Sequence, residues 1–420
     1  MLSSIKSAWK LDDLRRKIIF TLAMFFVFRI GAHVPVPGIN TDILKQIVSE
    51  GLIFGFFDVI SGGAFSAFTV FAMSITPYIN ASIIMQLMTV VVPKLEQLAK
   101  EGDEGRKKIA QYTRYGTVVL GFIQAIGMSF ALSQYGVIIN PSLNNLLVIA
   151  VTLTAGTAFL MWLGELITEK GIGNGISLII FAGIISGLPS GINTMTQYIQ
   201  TGTTNIFTVL LFSIIGLLVM VGVVAVHEGQ RRIPVQYAKR VVGRKVYGGQ
   251  STHIPLKVNQ AGVIPVIFAM SILLFPQTIA SWFPNSGIAA FVSRSLNFDS
   301  ILYMVIYATF IIFFTYFYTA VTFNPADVAD NMKKYGGFIP GLRPGKPTAE
   351  YIDRVLTRIT LAGAMFLAGI AIMPNIIMKI TDLNIFFGGT ALIIVVGVAL
   401  ETMKQIESHL LMRHYQGFMK

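Results

Sequence analysis

The sequence predicts an all-α polytopic membrane protein: ten transmembrane helices in two inverted halves of five. Three observations predict it. Apolar runs of 18 or more residues recur along the whole 420-residue chain, which is 54% hydrophobic and 12% charged. A helix needs roughly 20 apolar residues to cross the hydrocarbon core, and soluble domains carry about twice that share of charge. Basic residues gather in alternate connections. An odd number of spans on each side of a central connection turns one half over relative to the other, as in many transport proteins.

The apolar runs lie at about 18–36, 73–92, 115–133, 146–167, 175–192, 205–226, 262–281, 302–322, 357–376 and 385–403. Residues 1–17 are polar and basic. The run from Ile18 continues past Arg29 into His33-Val34-Pro35-Val36-Pro37-Gly38 without a small-residue cleavage site, so it reads as a retained first span. With the N-terminus inside, the inside segments hold 28 basic residues and the outside segments three, Lys45, Arg294 and Lys379. Positive residues favour the cytoplasmic side, so both termini are expected there. The halves divide as 1–192 and 193–420, and each has a second span that opens alike, with Ile75-Thr76-Pro77-Tyr78-Ile79 and Val263-Ile264-Pro265-Val266-Ile267.

Residues 51–72 are too apolar for a solvated loop and too broken by Gly62-Gly63 for a span. Runs this short read as buried or re-entrant segments, tolerated at membrane depth only inside protein or beside a water-filled cavity. Two cytoplasmic loops, 227–258 and 324–356, are long. The first alternates apolar and polar residues like a β-hairpin, and the second is dense in Gly and Pro around Arg343. Orientation alone accounts for much of their charge. Their length also suits a docking platform for an acidic partner.

The chemistry-bearing residues are sparse. There is no cysteine, which excludes disulfides and thiolate chemistry, and no His/Asp/Glu cluster suits a metal. Carboxylates inside spans mark ion or proton pathways. Here Glu165, Glu228 and Glu401 fall near span ends, where interfacial placement or a basic neighbour explains them. Asn80, Gln86, Gln124 and Asn259 are amides in or beside spans; helix–helix hydrogen bonding is the default reading, and a hydrophilic seam is the alternative. Ile75 and Ile79 share a helix face, as do Ile176 and Ile180. Ordinary packing is their default role, although an apolar ring can also gate by dewetting. Gly171-Ile172-Gly173-Asn174-Gly175 lacks the strand and the Lys-Ser/Thr of a phosphate loop, so it reads as a flexible connection. No cofactor and no catalytic residue are expected.

Taken in order, several stretches are specific together: Phe28-Arg29-Ile30-Gly31 with Pro35-Val36-Pro37-Gly38, Ser61-Gly62-Gly63-Ala64, Pro77-Tyr78-Ile79-Asn80-Ala81-Ser82, Gln111-Tyr112-Thr113-Arg114-Tyr115-Gly116, Met161-Trp162-Leu163-Gly164-Glu165, Gly229-Gln230-Arg231-Arg232-Ile233, Pro340-Gly341-Leu342-Arg343-Pro344-Gly345 and Phe387-Gly388-Gly389-Thr390. With them the chain resembles the SecY family of protein-translocation channels over essentially its whole length. The resemblance implies two halves closing around a central hourglass pore. It implies a waist ring at Ile75, Ile79, Ile176, Ile180, Ile267 and Ile394. A plug helix would match about 58–71, including Ser61, Gly62, Gly63, Ala64 and Phe65. A lateral gate would open between spans two and seven, with a polar cluster at Asn80, Gln124 and Asn259. Docking of the ribosome or the SecA motor ATPase would use Arg231, Arg232, Lys239, Arg240, Arg244, Lys245 and Arg343. The further partners implied are small membrane subunits like SecE and SecG, signal sequences, unfolded secretory chains and lipid, in a bacterial plasma membrane. An ion-coupled transporter is the alternative, disfavoured by the missing mid-membrane acids. A membrane enzyme would need a constellation that the spans do not carry.

Overall fold

The computed structural model describes residues 9–50, 52–202, 205–237, 240–242, 245–247, 251–283, 286–297, 300–381 and 389–417. Helix α1 (Asp12–Gly31) opens on Asp12 and Asp13 and carries Arg29 in its last turn, charges that complement the two ends of a helix dipole. It stops at Gly31 rather than at residue 36, because the Pro-rich sequel turns extended and Pro35 bridges Thr69. After α2 (Thr41–Glu50) comes α3 (Leu52–Ser61). The short helix expected at 58–71 therefore lies earlier in the chain. Gly62 and Gly63, at φ +69° and +84°, end it in the left-handed conformation that glycine adopts without cost, and residues 62–75 follow mostly as turns.

Helix α4 (Thr76–Val91) has Pro77 in its first turn. Pro93 holds Val92 extended, at φ −98° and ψ 112°, since the residue before a proline avoids helical geometry. The chain bends by 98° there into α5 (Pro93–Lys100). Helix α6 (Asp103–Gln134) then runs for 32 residues. At 1.5 Å per residue it is about 48 Å long, against roughly 30 Å of hydrocarbon, so much of the basic 93–114 stretch is helix rather than loop.

The remaining helices are α7 (Leu143–Lys170), α8 (Gly175–Gln200), α9 (Ile206–Glu228), α10 (Ile264–Trp282), α11 (Gly287–Ser295), α12 (Ile301–Thr322), α13 (Pro325–Lys334), α14 (Lys346–Thr381) and α15 (Gly389–Gly417). Among the described residues, α6, α7, α8, α9, α10, α12 and α14 are each long and apolar enough to cross a membrane, and the bent pair α4–α5 passes the same test only when its two helices are taken together. The first and last expected positions are occupied by α1 and α15. One continuous apolar core runs from Phe28 on α1 through Phe57, Ile60, Phe65 and Phe68 to Ile393 and Val398 on α15.

The expected hairpin forms. Strand β1 (Gln230–Tyr237) pairs antiparallel with β4 (Ser251–Lys257), with Ile233 opposite Ile254, while β2 (Arg240–Val242) pairs with β3 (Lys245–Tyr247). The second long loop, 324–356, is not independent of it. Strand β5 (Gly337–Phe338) joins the free edge of β1, in the order β4-β1-β5. Alternation along β1 buries Ile233 and Val235, and these pack with Leu256, Met332, Ile339 and Ile352. The two loops thus share one small core outside the spans. Ile339 anchors the Gly/Pro turn in it, and Arg343 protrudes into solvent.

Candidate functional site

The site is built where α4, α8, α10 and α15 converge beneath α3. Ile79, Ile180, Ile267 and Ile394, one from each of those four helices, line a cavity of about 10 Å³ together with Ile60, Thr76, Met270, Ser271 and Leu274. A space of that size holds about one water, so the four isoleucines close on one another. Ile75 and Ile176 do not line the cavity. Ile75 is the fully buried residue just before α4, and Ile176 packs on Gly164 of α7. The structure therefore brings together four of the six expected ring residues, and Ile60 closes them from the α3 side.

The segment from α3 to α4 is held by its own polar groups and by the spans. The Ser66 amide donates to the Asp58 carboxylate at 2.7 Å and the Gly63 amide to the Asp58 carbonyl at 2.9 Å. Ser61 donates to the Asp58 carbonyl and accepts from the Phe65 amide. The Thr69 hydroxyl donates to the Ala64 carbonyl. Outward, the Val36 amide donates to the Phe68 carbonyl and the Val70 amide to the Val34 carbonyl. Ser61, Ala64 and Phe65 are buried; Gly63 is partly exposed.

Two span glycines, unremarked in the sequence, make this seat possible. A Cβ on Gly183 of α8 would stand 2.4 Å from the Ile60 carbonyl oxygen, and one on Gly156 of α7 would stand 1.8 Å from that of Val70. Backbone meets backbone at both places. Phe71 fills the space left by Gly31 and stacks between Phe28 and Phe159, with centroids 6.1 and 6.0 Å away.

Beside the waist runs a seam between α4, α6 and α10. Asn80, Gln124, Thr76, Ser271 and Thr278 line a second cavity of about 10 Å³ there, together with Phe57 at the base of α3. At one end of the seam the Trp282 ring of α10 sits in the notch left by Gly127 of α6, and among the described residues its indole N–H has no partner. Asn259 does not join Asn80 and Gln124. Its amide donates to the Gly262 carbonyl at 2.9 Å, where Gly262 turns at φ +67°, and lies 3.3 Å from His227. It lines a separate cavity of about 440 Å³ with Lys257, Glu401 and Lys404.

The carboxylates near the span ends are paired or grouped with cations. Glu165 pairs with Arg114 and Glu228 with Lys404, both at 2.8 Å, and Glu401 shares its cavity with Lys257 and Lys404. The 171–175 connection, expected to be flexible, is tied down. The Gly173 amide donates to Gln405 of α15, the Ile172 amide to Thr21 of α1, and the Gly175 amide to Thr168 of α7. Of the expected docking residues, Arg231, Arg232 and Arg343 are exposed. The backbones of Arg240 and Lys245 lie in strands, and Lys239 and Arg244 lie outside the described residues.

Comparison with known proteins gives a consistent answer. The SecY family model matches residues 69–403. The chain is 54% identical to the protein translocase subunit SecY of Halalkalibacterium halodurans, over 100% of both sequences. Its fold is similar to a solved SecY structure described by a plug domain that stabilises the closed state of the translocation channel (TM-score 0.66, 20% identity, 94% of this chain and 92% of that one). It is also similar to a channel in the canine ribosome-channel complex from the endoplasmic reticulum (TM-score 0.63, 19% identity, 94% and 92%).

Proposed function

The chain belongs to the SecY family of translocase subunits, and from that membership we propose that it is the passive, protein-conducting pore through which unfolded secretory chains cross a bacterial plasma membrane and from which membrane segments pass sideways into lipid. A channel for chains of any sequence needs a waist that seals without binding strongly. The closure of Ile79, Ile180, Ile267 and Ile394 on a single-water cavity directly under α3 is the observation that carries this reading. Flexible apolar side chains can part around varied polypeptides, and a dry apolar constriction blocks ions. The family is one of channel subunits, not enzymes, and energy comes from a partner.

In this reading the segment from α3 to residue 75 is the plug, and the α4/α6–α10 seam is the lateral gate. Residues 1–192 and 193–420 form two inverted halves, and both termini are cytoplasmic. The shared core of the two loops presents Arg231, Arg232 and Arg343 to the ribosome or to the SecA motor. Small subunits resembling SecE and SecG complete the complex. A photo-crosslinking side chain at Ile79 or Ile267 is expected to capture a stalled secretory chain, and absence of an adduct at both overturns the pore assignment. Arg343→Glu is expected to stop SecA-driven transport in vesicles while the channel still assembles; normal transport would remove the turn from the docking surface.

A further inference from the structure

Arg29 stands apart in the sequence as the basic residue that no cytoplasmic or outside segment accounts for. A charge within a span is costly and marks function by default. One ordinary explanation exists: a cation in the last turn of a helix complements the helix dipole and can reach toward the membrane surface. The geometry is different. Ile30 beside it faces outward, at 53% exposure, whereas the half-buried Arg29 side chain turns inward. Its Nη1 donates to the Gly62 carbonyl oxygen at 3.0 Å. Among the described residues no carboxylate forms an ion pair with it.

Gly62 is the first residue beyond α3. The last carbonyls of a helix lack intrahelical partners and concentrate the negative end of the helix dipole. Arg29 therefore caps the carboxyl end of the plug helix with a charged donor. The Ser186 hydroxyl of α8 donates to the Gly183 carbonyl at 2.7 Å and makes only a long 3.4 Å contact with the Gly62 carbonyl, so Arg29 is the principal side-chain donor to that oxygen. Gly62 is pressed against α8 closely enough that a Cβ on it would stand 2.5 Å from the Ser186 hydroxyl. When the plug leaves its seat, both the guanidinium and the helix end lose this partner together.

We propose that Arg29 is the positioning residue that keeps the plug seated, a latch carried by the first span and acting on the Gly62 carbonyl. The proposal rests on the reading of α3 and its sequel as the plug. A hydrogen bond from a charged donor is stronger than a neutral one, and its loss shifts a two-state equilibrium on the order of tenfold or more.

The test uses the assembled channel complex in planar bilayers. Three variants are compared with the parent: R29M, R29K and a chain lacking residues 60–70. A reporter thiol is placed by Ser61→Cys, at a site 1% exposed in a chain with no cysteine of its own. R29M is expected to raise resting ion conductance about tenfold and to speed labelling of the thiol by a membrane-impermeant maleimide. R29K, which keeps a cationic donor, is expected to recover most of the seal and protection. If the deletion leaks but R29M is as tight as the parent, the latch is wrong and the plug stands. If the deletion is tight, the plug reading falls and the latch with it. If R29M and R29K leak alike with labelling unchanged, the charge does not hold the plug and the proposal is overturned. Should R29M fail to accumulate, R29Q drops the charge but keeps polarity and carries the same expectation; tight R29Q channels would overturn it.

Discussion

The segment from α3 to α4 and the seam beside it are both closed, but by different contacts. The α3–α4 segment, the plug of the proposed function, is seated backbone against backbone: the Ile60 carbonyl lies on Gly183, and that of Val70 on Gly156. Peptide groups cannot change rotamer, so this seat has one geometry and no tolerance for added volume. The seam closes side chain against side chain, with hydroxyls and amides lining it and a Trp282 indole left without a partner. Side chains can repack, and a buried polar group without a partner makes the closed state cheaper to leave. The difference suits a plug that is either in or out and a seam that yields by degrees.

Three substitutions probe that contrast. Gly183→Leu drives a side chain into the Ile60 carbonyl, and overpacking of a fixed site costs about 1–3 kcal/mol. It is expected to raise resting conductance by about tenfold to a hundredfold, and a tight Gly183→Leu channel would break the rigid-seat half of the comparison. Gly127→Leu removes the notch that holds Trp282. Because the indole can swing aside, a smaller effect is expected: several-fold better export of a precursor with a weakened signal sequence, with resting conductance nearly unchanged. A conductance rise equal to that of Gly183→Leu would mean that the seam and the plug are one unit. Asn80→Leu replaces a seam amide with an apolar side chain that favours the dry closed state. Amide contributions between membrane helices average about 0.6 kcal/mol, so lateral insertion of a weakly apolar segment is expected to slow only about threefold. Faster insertion in a vesicle integration assay would show that Asn80 holds the seam shut.

The spans were legible because hydropathy is a property of single residues and the bilayer acts on each one. Apolar runs located the apolar middle of each helix, but not the polar turns by which α6, α14 and α15 extend ten or more residues beyond the expected spans. Pair geometry was less legible. Gly156, Gly183 and Gly127 look like any glycine in a span until a backbone or a ring is found against them. A Gly inside an apolar run is the signal that could have pointed to them, since close backbone approach is what small residues permit in membranes. The helix preceding Gly62-Gly63 was placed too late, because its apolar content ran evenly across the glycines that end it. Asn259 was grouped with Asn80 and Gln124 by the family resemblance. The turn at Gly262 sends its amide elsewhere. Strand β5 joining β1 pairs segments about a hundred residues apart, and no local pattern encodes such a partner.

Helix α14 begins in the core shared by the two long loops, where Ile352 is fully buried. It continues without a break to Pro374, roughly 40 Å at 1.5 Å per residue. A rod of that kind has no joint at the membrane surface. Force applied at the Arg343 turn, a few residues before its start, arrives in the bilayer as a tilt or a displacement of the same rigid body. If the Arg343 turn docks a partner as proposed, the channel needs no chemical signal to learn of it: that turn and one helix of the membrane domain are two ends of a single lever.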